Sequence, residues 1–176
     1  MTMRKLSFVL FVLSFFVVGL LGTANGVSAE TLKLKLTNVV TKGESFPLEN
    51  IEGSYIAWLV RDGAFVLENG EVGTMRGVFT AESTVGRGGS FSGFLMFVFG
   101  DGSTILGSLQ SATYWPDPEK KVLAIQKASG ELIKGSGRFK GIKGTQSMTG
   151  SLLKPLKGET FPTAYNEFVL TYTVSP

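Results

Sequence analysis

Apolar and polar residues alternate along most of the chain beyond residue 30. In TLKLKLTNVV (Thr31–Val40), Leu32, Leu34 and Leu36 fall on one face and Lys33, Lys35 and Thr37 on the other. A period of two marks a strand with one buried and one solvated face. KGESFPLENIEG (residues 42–53) mixes charge, glycine and proline and predicts a loop. SYIAWLVR (residues 54–61) is apolar at both parities and predicts a strand buried on both sides. Asp62-Gly63 and Asn69-Gly70 predict tight turns, with AFVLE between them. Further strands are predicted over residues 71–83, 90–99, 103–115, 122–133, 149–153 and 164–174, with turns at 85–89, 100–103 and 116–121. About eight short strands with turn residues between them and no helical period predict an all-β fold, a barrel or a sandwich. No repeat or linker divides this part of the chain.

The first 29 residues follow a different pattern. Arg4 and Lys5 precede an unbroken apolar run, Leu6–Leu21, and small residues stand at Ser28 and Ala29. Basic, apolar and small in that order is the pattern of an export signal, a helix cut after Ala29. The alternative is an uncleaved anchor, for which the run falls short of the roughly 20 residues that span a bilayer. The expected division is a signal peptide over 1–29 and one barrel domain over 30–176, secreted or periplasmic. Those 147 residues suffice for a core without staples.

Charge and composition narrow the chemistry. Without Arg4 and Lys5 the chain carries fifteen basic against fourteen acidic residues, so no basic excess points to nucleic acid. There is no histidine and no cysteine. Ser–His and Cys–His nucleophiles are excluded, as are zinc sites built on imidazole or thiolate. No metal and no cofactor is expected.

GSGRFKGIKGT (Gly135–Thr145) holds four glycines and three cations. A dinucleotide fingerprint needs G-x-G-x-x-G between a strand and a helix. Here the third glycine, Gly141, comes one residue late, the following residues are not helix-forming, and no Gly-Lys-Ser/Thr triplet is present. The stretch predicts a bent backbone at a barrel end, with Phe139 and Ile142 as its plug. Asp101, in GDGS, lacks the further ligands of a calcium loop and reads as a hairpin turn.

Aromatic residues are frequent: fourteen Phe, four Tyr and two Trp, of which Phe8, Phe11, Phe15 and Phe16 lie in the export segment. A barrel of eight strands is about the size at which the interior either fills or holds one small ligand. Trp58, Phe97, Phe99, Tyr114 and Tyr172 are the candidate lining of such a cavity. Strand-borne ionisable residues include Arg76, Glu82, Glu131, Tyr165 and Glu167, and most such residues face water. Arg76 and Glu82 share one parity, which makes them the candidate catalytic pair.

The run Phe97–Asp101 (Phe-x-Phe-Gly-Asp) and the run Gly135–Gly144 (Gly-x-Gly-x-Phe-x-Gly-x-x-Gly) resemble the allene oxide cyclase barrel family, to which the dirigent proteins are structurally related. The resemblance covers about residues 91–174. It implies an eight-stranded antiparallel barrel with an apolar cavity, often assembled as a trimer. It also implies activity that consists largely of holding a hydrophobic substrate in one conformation. The plant cyclases carry a glutamate on the first strand and a cysteine further on; residues 31–40 contain no carboxylate and the chain has no cysteine, so no cyclase site is carried over. Three functions follow as expectations: a binder of a small hydrophobic ligand, a cofactor-free isomerase, cyclase or dirigent-like guide, and a structural barrel with a filled interior.

Overall fold

A computed structural model describes residues 28–119, 121–155, 157 and 161–175. Nearly all of the expected export segment, residues 1–27, lies outside the described residues. Eight strands follow: β1 (Glu30–Pro47), β2 (Ser54–Leu67), β3 (Val72–Thr84), β4 (Gly88–Phe99), β5 (Thr104–Pro116), β6 (Ala124–Ser136), β7 (Ile142–Leu152) and β8 (Ala164–Val174). Each pairs antiparallel with its neighbours in chain order, and β8 returns to β1 to close the barrel. The all-β, eight-stranded antiparallel barrel expected from the pattern is the observed fold.

Closure fixes which parity faces in. On β1 the buried positions are Leu34, Leu36 and Asn38; on β8 they are Ala164, Asn166, Phe168, Leu170 and Tyr172. In both strands the lysines, the glutamate and the threonines between them face water.

Three local expectations are corrected. Residues 42–47 do not form a loop but continue β1, paired with β2 from Lys42↔Val60 to Pro47↔Tyr55 after a bulge at Thr41. Beyond Asn38 this strand has no β8 partner, and such an edge accepts the proline. Asp62-Gly63 is not a turn but the middle of β2. Gly63 is needed there because a Cβ would collide with the Thr37 carbonyl, and Asp62 forms an ion pair across the outer face. Nor is residues 54–61 buried on both sides: Ala57 is buried, while Ile56 and Trp58 are exposed. Asn69-Gly70, by contrast, is the predicted turn, with Gly70 at positive φ.

The barrel is filled at one end. Phe65, Phe97, Phe99, Phe139, Phe168 and Tyr172 pack mostly edge to face, with centroids 4.7–5.8 Å apart, the arrangement that aromatic quadrupoles favour. The quoted glycine stretch builds the cap of this end. A 3-10 turn, Gly137–Phe139, directs Phe139 inward, with Gly137 and Gly141 in the left-handed region. Arg138 lies 4.9 Å from the Phe99 and Phe139 rings. Its guanidinium donates to both Glu71 oxygens at 2.7 Å and to Asp101 at 3.2 Å. Its charge is thus already matched within the cap, which gives the stretch a structural role.

At the bulges of β5, where the register with β6 shifts around Gly107–Ser111, the buried Gln146 of β7 donates Nε2–H to the Ser108 carbonyl at 2.8 Å. This supplies a bond that the shifted ladder leaves open.

Phe97 is 0% exposed and Phe94, three residues earlier on the same strand, 58%. Phe97→Ala is expected to cost about 3–5 kcal/mol, while Phe94→Ser stays within about 0.5 kcal/mol. Urea denaturation of the two variants checks the assignment of faces.

Candidate functional site

The end opposite the cap is not filled. Several residues that point inward there are small: Ala57 on β2, Ala81 and Ser83 on β3, Ala124 on β6 and Ala164 on β8. They leave a cavity of about 480 Å³, within the range of small-ligand sites. Its apolar wall includes Met75, Phe79, Phe91, Leu95, Leu109 and Phe168. The mouth is bordered by the β3–β4 turn at Val85–Gly86 and, on the other side, by Pro155, Phe161 and Pro162.

Among the described residues one cation faces this interior. Arg61 of β2 is in phase with Ala57 and Leu59 and lines the cavity. It donates Nε–H to Asn38 Oδ1, and Nη2–H to the Pro162 carbonyl at 2.8 Å and the Asn38 carbonyl at 3.4 Å. All three acceptors are neutral. Among the described residues no carboxylate forms a salt bridge with it, and none lines the cavity. Burial pulls the guanidinium down to about 10, so it stays protonated at neutral pH.

Polar groups continue around the wall from Arg61. Asn38 is followed on β8 by Asn166, whose Oδ1 accepts a hydrogen bond from Gln126 Nε2 of β6. These two strands are not neighbours; β7 runs between them, and its residue at that level is Gly150. A Cβ on Gly150 would collide with Asn166 Oδ1 and the Tyr165 carbonyl. At the mouth, burial pushes the phenol of Tyr114 of β5 up to about 12.

The residues singled out in the sequence separate into three groups. Tyr114 lines the cavity. Phe97, Phe99 and Tyr172 point inward but lie in the filled half, so they are core rather than cavity wall. Tyr172 donates its hydroxyl to Glu30 at 2.8 Å, and burial with that carboxylate pushes it up to about 12. Trp58 lies on the outer face at 39% exposure, because the inward parity of β2 is the odd one.

Arg76 and Glu82 share a parity as read, but it is the outward parity of β3. Arg76 forms a bidentate pair with Asp62, at 2.6 and 3.1 Å. Asp62 also accepts from Thr41 at 2.7 Å, and Arg76 with Thr41 holds its carboxyl below the usual range. Glu131, Tyr165 and Glu167 face outward as well.

Arg61, Asn38, Asn166 and Gln126 were not singled out. Two were legible: Asn38 continues the Leu32, Leu34, Leu36 phase, and Asn166 opposes Glu167, which marks the solvent parity of β8. Arg61 was not, because both parities of residues 54–61 are apolar.

No family model and no curated protein matches the chain. Two similar solved structures are those of the pterocarpan synthase dirigent proteins GePTS1 and PsPTS1. GePTS1 is 11% identical, with 84% of this chain and 92% of that chain covered and a TM-score of 0.49. PsPTS1 is 13% identical, with 85% and 97% covered and a TM-score of 0.47.

Gly150→Ala is expected to break the Gln126–Asn166 bond and cost about 1–3 kcal/mol, read as a lower urea midpoint. Tyr114 and Tyr172 retain their protons above the ordinary tyrosine value of 10.0. Between about pH 10 and 12 the folded chain therefore binds more protons than the unfolded one, and stability falls as pH rises through that window. An ultraviolet absorbance titration is expected to show two late-ionising tyrosines, and Tyr114→Phe to remove one of them and flatten part of the alkaline loss.

Proposed function

We propose that this chain is an exported barrel that binds one small hydrophobic molecule in the open half of its interior. The cavity of about 480 Å³ carries this reading. Its wall is apolar over most of its extent and interrupted by a few convergent polar groups, the usual composition of a small-ligand site. The filled half supplies rigidity: a ligand resting on an aromatic core meets a surface that does not collapse, so little ordering is left to occur on binding. The export assignment rests on the basic, apolar and small order of residues 4–29.

A second reading, a cofactor-free isomerase or dirigent-like guide, uses the same cavity. Arg61 favours it to the extent that an interior cation stabilises developing negative charge. Acid–base chemistry finds less support. Among the described lining residues there is no carboxylate, and a Tyr114 phenol at about 12 is a poor proton acceptor at neutral pH. Holding and orienting a ligand is what the lining favours.

A neutral apolar fluorophore, N-phenyl-1-naphthylamine, is the probe of choice. The chain from Glu30 onward is expected to bind it saturably at micromolar concentration. Ala81→Trp, which places an indole in the cavity, is expected to abolish that enhancement while leaving the far-ultraviolet circular dichroism unchanged. A flat titration of the unsubstituted chain would sink the reading in favour of a structural barrel.

A further inference from the structure

Arg61 combines three features. It faces an apolar cavity; its acceptors are two backbone carbonyls and one carboxamide oxygen; and its neighbour in sequence, Asp62, is on the opposite side of the sheet with Arg76. The bonds that Arg61 makes among the described residues use Nε and Nη2. Buried cations are normally matched by a carboxylate, because dipoles orient a guanidinium without neutralising it. Even Arg138, whose side chain is 40% exposed at the other end of the same barrel, is matched by Glu71 and Asp101. Arg61 departs from this pattern.

Resting on the ligand-binding reading above, we propose that Arg61 is the specificity-determining residue of the cavity and that the ligand is a compact lipophilic monocarboxylate. Its carboxylate accepts from Arg61, and its apolar body lies against Met75, Phe79, Leu95 and Phe168. A carboxylate suits the site better than a neutral oxygen because a charge-assisted bond is shorter and about twice as strong as a neutral one. A single acidic group suits it because, among the described lining residues, Arg61 is the one cation and the remaining side chains are carboxamides, hydroxyls and hydrocarbon. A polyanion would leave charge in an interior without counter-charge.

The test compares naphthalene-2-carboxylate with naphthalene-2-carboxamide, which has the same shape and no charge. Isothermal titration calorimetry at neutral pH is expected to show the carboxylate bound roughly 10-fold or more tightly than the amide. Arg61→Gln is expected to bring the carboxylate down to the level of the amide while the amide changes little. Arg61→Lys, which keeps the charge on a different head, is expected to retain part of the preference and guards against a folding artefact; circular dichroism melts accompany both variants. If the unsubstituted chain binds the two compounds equally, the proposal is overturned and the cavity reading stands. If neither naphthalene binds but the neutral fluorophore does, the proposal is again overturned alone. If no probe binds at all, the cavity reading falls and this proposal with it.

Discussion

The pairing of β1 with β8, from Glu30↔Tyr172 to Asn38↔Ala164, is the constraint on which the rest of the structure depends. An open sheet leaves edges and tolerates slippage; a closed one does not, because a shift of one residue would turn every side chain of a strand to the other face. Closure therefore decides for each strand which half of its residues meets water. It also fixes the register that sets Gly150 between Gln126 and Asn166, and that brings Arg61 close enough to Asn38 for its Nε to bond the carboxamide.

Within that frame the interior is divided by side-chain volume. Toward the cap, inward positions carry Phe65, Phe97, Phe99 and Tyr172, and the 3-10 turn adds Phe139 from the end. Toward the opposite mouth, inward positions on β2, β3 and β8 carry Ala57, Ala81, Ser83 and Ala164. An eight-stranded barrel lies near the boundary between a packed and a hollow interior, and here both occur in one molecule. The aromatic half gives the fold its buried area, so the other half can remain open without loss of the closed sheet.

The sequence discloses the two halves unequally. Strand count, strand type and the cap were legible, because alternation in residues 31–40 and 164–174 and the glycines of residues 135–144 act locally. The inward parity of β1 and β8 was legible for the same reason, since lysines and a glutamate mark the wet face. Misplaced features share another cause. Trp58 and Arg61 sit in a segment apolar at both parities, and the outer face of β2–β4 stays apolar at Trp58, Val78 and Phe94; hydrophobicity alone does not separate inside from outside there. Asp62-Gly63 has the composition of a turn, but pairing on both sides of β2 overrides it. Phe97 and Phe99 were correctly inward, yet depth along the barrel axis has no period in sequence, so core and cavity wall look alike.

Arg61 and Asp62 show why net charge along a segment says little about a site. The two are adjacent and opposite in sign, and in a loop they would be free to compensate each other. A strand turns neighbouring side chains to opposite faces. Asp62 is thereby committed to the outer surface, where Arg76 and Thr41 hold it at 2.6 and 2.7 Å. Arg61 is committed to the interior, where a carboxamide and two carbonyls hold it. The sheet itself lies between the charges. Dipoles fix the direction of the guanidinium and lower the cost of burying it, but they carry no net charge of their own. The alternation that closes the barrel is thus also what leaves Arg61 in the open half with no carboxylate on it among the described residues.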